Sequence, residues 1–497
     1  MSETADLDRA LVSGIAWTAV MRWSSQLISW VATFYVARIL VPGDYGIASM
    51  AMVAIGLARM IEDFGLDAVL VQDRSIEGAQ QARLAGMLVL LGVFLTLLYL
   101  ALAYPIAGFF GEPNVAWAIM GLSFLFITDA LQIVPRAILQ RQLAFGKLAL
   151  LAFLQVVVTQ SALIAAATAG WGFKSLVVNS LAGAVFSAGL LYYWSPYAIH
   201  WPRDIAGLAK PLLQGWRMLA SSIGYYAYSN ADQAIIGRFL GKDALGAYSF
   251  ATGLSTTAMR EVGAVVTKVV PGIFSASQHR RHDLRRYFLV LTELVALVTL
   301  PMSIGLALTA DLIVPVALGP QWQAVIAPLR ILCIYTAFFN AQLLTSHLLT
   351  WTGQFRAQMW CTMVTAAVLP LAFLAAVRFD LEAVALVWAL VYPLTNIPAL
   401  IISLRTISLT FGQWFAALWP AVCGCLVMSA AVLAIGQLLP HSSSDLVRLG
   451  SMVLAGGMVY ALTLLLFFRA RVLAILSIVR VARSGLPARA EPAALLP

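Results

Sequence analysis

Four basic residues stand where charge is costly. Arg22, Arg59, Arg260 and Lys268 each interrupt a long apolar run. A cation at the centre of a membrane helix costs about 2.5–3.5 kcal/mol on insertion scales, so such residues face a polar cavity or a partner. The chemistry open to them is electrostatic: a guanidinium presents a planar fork that grips phosphate or carboxylate oxygens in pairs. Arg59 has Glu62 and Asp63 three and four residues on, within reach of a local ion pair. Arg260 has only Glu261 beside it, aimed elsewhere on a helix, and Arg22 has no acid within a turn. More distant acids are available too: Asp67, Asp129, Asp232 and Glu293. The alternatives are a cation-lined substrate cavity and plain pairing between helices.

A second constellation is YSNADQAII, which sets Asn230 and Asp232 two residues apart in an apolar setting. A membrane carboxylate beside amide oxygens can bind Na+ or exchange a proton. Asp232 could equally serve as the partner of Arg22 or Arg238.

The elements that must position these residues follow from composition. Of 497 residues, 61% are hydrophobic and 11% charged, and the mean hydropathy is +0.89. Soluble domains carry about 25% charged residues, so the pattern predicts an all-α polytopic membrane protein. A helix needs about 20 apolar residues to cross the hydrocarbon. On that measure there are fourteen candidate spans: 11–39, 44–72, 83–110, 115–140, 147–169, 175–195, 211–240, 244–275, 284–310, 324–351, 355–377, 382–404, 414–438 and 446–469. Turn signals such as VPGD, GEPN and GKD separate them. Arg22 and Arg59 then fall on spans 1 and 2, Asn230 and Asp232 on span 7, Arg260 and Lys268 on span 8.

Orientation follows from Lys and Arg. With a cytoplasmic N-terminus, the inner segments hold twenty of them, including Arg136, Arg141, Arg280, Arg281, Arg285 and Arg286; the outer loops hold Lys174, Lys242, Arg378 and Arg448. Such a bias predicts both termini inside. The net charge of +9 is then topology and implies no nucleic acid. The run HRRHDLRR at 279–286 suits an anchor on anionic headgroups or a docking patch, and the segment 469–485 reads as an interfacial amphipathic helix. The acidic N-terminus MSETADLDRA lacks the features of a cleavable signal. No phosphate loop, nucleophile elbow or zinc-protease motif occurs. No cofactor or metal is expected, and Cys333, Cys361, Cys423 and Cys425 read as buried thiols.

The chain also repeats itself. RILVPGDYGIAS at 38–49 and RFLGKDALGAYS at 238–249 share Arg, Leu, Gly and Ser in register. Each copy ends an odd-numbered span, turns, and begins the next. Two parallel pseudo-symmetric six-helix lobes are predicted, 1–200 and 201–405, followed by helices 13 and 14 at 406–470 and a cytoplasmic basic tail at 471–497. Parallel repeats put a substrate path between the halves. The register aligns Arg59, within one residue, with Arg260.

Several stretches, in order, resemble one family: GLDAVLVQ (65–72), LQRQLAFGKLAL (139–150), YSNADQAIIGRFLGKDALGAYSFA (228–251), VVPGIFSASQ (269–278) and LGPQWQAVIAPLRIL (318–332). They are similar to the Wzx-like polysaccharide-exporter flippases of the multidrug/oligosaccharidyl-lipid/polysaccharide superfamily. GWGFKSLVV (170–178) departs from the family pattern at Lys174 and Ser175. The resemblance implies a non-enzymatic inner-membrane flippase working by alternating access. Its substrate would be an undecaprenyl-diphosphate-linked oligosaccharide destined for exopolysaccharide or O-antigen. An ion gradient, Na+ or H+, would drive it among membrane lipids, beside polymerase and assembly proteins. The rival readings are a drug exporter of the same superfamily and a membrane polymerase or ligase. Central arginines weigh against the first, and the absence of a large outer loop against the second.

Overall fold

Long apolar runs bounded by turn residues fold into helices whose bounds lie close to the expected spans. The computed structural model describes residues 21–63, 78–201, 224–257, 281–439 and 444–471, with isolated positions besides. In chain order the helices are α1 (21–37), α2 (Pro42–Asp63), α3 (Ala79–Phe110), α4 (Asn114–Ser123), α5 (Leu125–Arg141), α6 (Phe145–Thr168) and α7 (Lys174–Trp194). Then come α8 (Ala231–Phe239), α9 (Gly241–Ser255), α10 (Arg281–Ala317), α11 (Ile326–Ala341) and α12 (Leu343–Trp351). The last are α13 (Phe355–Ala376), α14 (Leu381–Thr406), α15 (Phe411–Leu438) and α16 (Asp445–Phe467). Among the described residues there is no strand.

Eleven of these stretches are long and apolar enough to cross a membrane. They coincide with the second to sixth and ninth to fourteenth expected spans; the other three include residues outside the description. The fourth span is α4 and α5 in one run, bent at Phe124, and the tenth joins α11 and α12 through Gln342. Two of the described helices begin on side-chain caps. Asp380 accepts from the Ala383 N–H at 2.6 Å, and Thr410 with Gln413 forms a capping box. The outer face of α16 is apolar and open, with Leu454, Leu462 and Leu466 exposed, as a lipid-facing helix requires.

The chain divides into two compact units, 1–249 and 250–497. In the first, α2 packs on α4 and α5, α3 on α4 and α5, and α6 on α7. In the second, α10 packs on α11, α15 and α16, around a core that includes Phe274, Phe288, Leu348 and Trp414.

Two features show the repeat in three dimensions. A Cβ on Gly46 would collide with the Lys242 carbonyl, and one on Gly246 with the Pro42 carbonyl. The contacts exchange positions that are equivalent at an offset of 200, 42 with 242 and 46 with 246, so the two copies of the duplicated phrase dock on each other like the faces of a two-fold contact. The other feature was not evident from sequence. After α5, Leu143 takes a left-handed conformation (φ 55°); after α12, Gly353 does the same (φ 73°). The flanking bonds match at an offset of 210. Ala144 N–H donates to Leu139 O at 3.0 Å, and Gln354 N–H to Leu349 O at 2.9 Å.

Candidate functional site

The first unit encloses a cavity of about 630 Å³. Its floor is a stripe on α5, Leu125, Asp129, Gln132, Ile133 and Arg136, spaced so that all share one helix face. Arg59 and Glu62 reach it from α2, Gln155 and Thr159 from α6, Asn179 and Ser180 from α7. Gly183 lets α6 and α7 approach: a Cβ there would run into the Thr159 methyl and touch the Gln155 amide.

Charge is balanced inside. The Arg59 guanidinium meets the Asp129 carboxylate at 2.6 Å, with the two side chains 39% and 23% exposed. Arg136 donates to the Gln132 amide oxygen at 3.2 Å. The Gln132 amide nitrogen donates in turn to Thr128 O at 3.0 Å and Ala184 O at 3.4 Å. Gln132 is thus clamped between helices, and it fixes the Arg136 head. Glu62 is buried. The Asn179 amide oxygen has no hydrogen-bond partner among the described residues. Two guanidiniums in a space of this size, one open to solvent, suit an anionic group larger than a simple ion.

The candidates named from sequence fall in different places. Arg59 lines the cavity, its partner being Asp129 from another helix rather than the local acids. Arg22 is exposed on α1. Arg260, in the second unit, is exposed and bonds back to the preceding residues, to Gly253 O at 3.5 Å and the Thr257 hydroxyl at 3.4 Å. Lys268 lies outside the described residues. Asp232 is 3% exposed; it accepts from the Tyr248 hydroxyl at 2.7 Å and the Gln233 N–H at 2.8 Å. Asn230, at the bend just before α8, turns its amide nitrogen onto Tyr226 O at 3.0 Å.

Sequence reasoning missed Arg136 and Gln132. Arg136 was counted as an inner-loop cation, but it stands within α5, facing the cavity. The signal was present: Asp129, Gln132 and Arg136 recur every three or four residues along an otherwise apolar helix.

Residues 35–327, more than half of the chain, match the family described as "Polysaccharide biosynthesis protein". The teichuronic acid biosynthesis protein TuaB of Bacillus subtilis (strain 168) is 25% identical over 332 residues, 66% of this chain and 68% of that protein. The succinoglycan biosynthesis transport protein ExoT of Rhizobium meliloti (strain 1021) is 23% identical, over 72% of each. Among solved structures, the lipid II flippase MurJ in an inward closed conformation superposes with a TM-score of 0.72 at 11% identity, covering 92% of this chain and 99% of that one. That likeness establishes the shared polytopic fold. By the extent of its match, this chain belongs to the polysaccharide biosynthesis protein family.

Proposed function

We propose that the protein is a flippase of the bacterial inner membrane. It would carry an undecaprenyl-diphosphate-linked oligosaccharide repeat unit to the outer leaflet, for assembly into exopolysaccharide or O-antigen. The observation that supports this most is the cavity of the first unit, where Arg59 is held by Asp129 yet remains 39% exposed. A lipid-linked diphosphate has a membrane-soluble tail, an anionic head and a polar sugar, and moving the head through hydrocarbon is the costly step. An arginine already neutralised by a resident carboxylate stays stable when empty. It can then exchange that carboxylate for phosphate oxygens with little change in buried charge. The relatives' names, with their teichuronic acid and succinoglycan, point to the same class of cargo.

In this reading Arg22, Arg260 and Lys268 add to the cationic path, and two six-helix lobes, 1–200 and 201–405, open alternately with both termini cytoplasmic. Asp232, with Asn230, would couple the cycle to Na+ or H+. Polymerase and assembly proteins would receive the product.

The test is genetic and chemical. Cells lacking the protein should accumulate the lipid-linked repeat unit on the inner leaflet. Arg59→Ala and Arg260→Ala should each fail to restore export while reaching the membrane in normal amounts. Normal export by both variants would refute the cationic path.

A further inference from the structure

The second unit holds a cavity of its own, about 80 Å³, among α11, α12, α13 and α14. Its position is not arbitrary. At the offset of 210 that relates the turns after α5 and α12, four lining residues of the first cavity map onto lining residues of the second. Asp129 corresponds to Phe339, Gln132 to Gln342, Ile133 to Leu343 and Arg136 to Ser346. The repeat has therefore built one cavity twice and changed its chemistry. Both charged groups of the α5 stripe are gone, and among the described residues no carboxylate, lysine or arginine lines the second cavity.

What remains is mostly amide, hydroxyl and aromatic, with the Cys361 thiol and the aliphatic Leu343 and Ala399. Phe339 and Tyr392 form one wall, their ring centroids 6.0 Å apart, inside a cluster with Tyr335 and Trp388. Gln342, Thr345, Ser346 and Gln358 face them. Two of these are unsatisfied. The Thr345 hydroxyl, on a residue 5% exposed, and the Gln358 amide oxygen have no hydrogen-bond partner among the described residues. A buried hydroxyl without a partner is costly, and a protein with nothing to bind there would do better with valine.

We infer that this cavity is a subsite for an uncharged, hydroxyl-bearing group: one edge of a neutral sugar ring. The inference rests on the proposed flippase function, and it assigns the sugar and the diphosphate of one substrate to separate places. Each alternative ligand fails on a particular feature. A metal cation would find no carboxylate, and a lipid chain would leave Thr345 and Gln358 unsatisfied. The space equals about two or three water volumes, enough for a hydroxymethyl or acetamido edge and too small for a whole ring. Polar groups at the sugar's edge supply the donors and acceptors that Thr345 and Gln358 lack, while the C–H bonds of that edge meet Phe339.

The experiment uses the full-length protein in lipid nanodiscs. The probes are methyl glycosides of glucose, galactose and N-acetylglucosamine, with inorganic pyrophosphate as the charged control. Saturation-transfer NMR reads weak binding of each glycoside. At least one glycoside should bind the native protein, and Thr345→Val and Gln358→Leu should each weaken it about threefold to tenfold, the worth of one hydrogen bond. Thr345→Val should melt no lower than the native protein, because it removes an unpartnered hydroxyl. Ser346→Ala, at an exposed position, is a further variant that does not threaten the fold and should weaken binding likewise. Arg59→Ala should abolish pyrophosphate binding and spare the glycoside. If no glycoside binds, or binding is unchanged in all three variants, the subsite is refuted while the Arg59 result still stands. If Arg59→Ala removes glycoside binding as well, the claim of a separate site is overturned.

Discussion

Whether Arg59 binds substrate or only ties α2 to α5 is decided by a double-mutant cycle with Asp129. The pair is close, at 2.6 Å, but half open, with 39% and 23% of the side chains exposed. Exposed pairs contribute about 0.2–1 kcal/mol, and removing one partner of a fully buried pair costs about 3–5 kcal/mol. This pair sits between, so Arg59→Ala should destabilise the protein by about 1–3 kcal/mol. Asp129 keeps a long contact, 3.5 Å, from the Gln132 amide, which places its unpaired cost toward the lower end. Asp129→Ala should cost a similar amount by leaving Arg59 unpaired. The double variant should cost less than the sum, by about 1–2 kcal/mol. Denaturant titration of the purified protein measures all four species, and export in cells is measured on the same set. The expected outcome is a split: the losses of stability are less than additive, but the double variant does not regain export. Recovery of export together with stability would make Arg59 a structural tie and refute the anion-site reasoning.

Further outcomes follow from other contacts. Gly46→Ala and Gly246→Ala should each destabilise by about 1–3 kcal/mol, since a Cβ meets a partner backbone carbonyl; Gly253→Ala, with nothing within 4 Å, should be neutral or stabilising. Equal melting of all three would refute the docked-hairpin geometry. At the turn after α3, Glu112 pairs with Lys242, in the first turn of α9, at 2.9 Å. Burial pushes the Glu112 carboxyl up, but Lys242 and Asn114 outweigh it and hold it below the ordinary value, while the bond to Glu112 raises Lys242. The contact therefore contributes fully between the ordinary carboxylate and ammonium values. It is lost as pH falls through the lowered Glu112 value or rises through the raised Lys242 value. Glu112→Gln should flatten the acid limb of a melting-versus-pH profile by about 0.2–1 kcal/mol; an unchanged limb counts against the pairing. Tyr248→Phe should destabilise by about 0.5–1.5 kcal/mol through the loss of its hydrogen bond to Asp232. Transport by Asp232→Asn that stays as sensitive to collapsed Na+ and proton gradients as the native protein would remove Asp232 from coupling.

Span number and position were legible because the bilayer imposes a length and an apolarity on each helix, and both are written in the residues. All eleven described spans start within four residues of the expected positions. The duplicated phrase was legible for a different reason. Its glycines meet backbone carbonyls across the contact, and no other residue fits there, so identity persisted. The second register, at 210, was not legible. A left-handed turn tolerates Leu143 in one copy and Gly353 in the other, at a steric cost that tertiary packing absorbs. Backbone geometry survived where side-chain identity did not. The partner of Arg59 was also hidden, because Glu62 and Asp63 stood nearer in sequence, and only the packing of α2 on α5 brings Asp129 closer.

Arg136 shows where charge-based topology reasoning misleads. Counting every arginine near a span end as a loop cation assumes that its side chain leaves the span, even where, as with Arg136, the expected span of 115–140 takes it in. The α5 helix runs on to Arg141, so Arg136 has a full turn of helix beyond it and faces inward. Arg141 is the residue at the end, and its guanidinium donates to Leu70 O at 2.6 Å and Ile76 O at 2.9 Å. It ties the following turn to the segment after α2. One of the two arginines thus serves the cavity and the other the scaffold, though sequence alone gave them the same role. The distinction is periodicity. Arg136 continues the stripe begun by Asp129 and Gln132, and Arg141 does not. In a membrane chain, a cation in phase with other polar residues on an apolar helix is better read as lining a cavity than as marking the inner side.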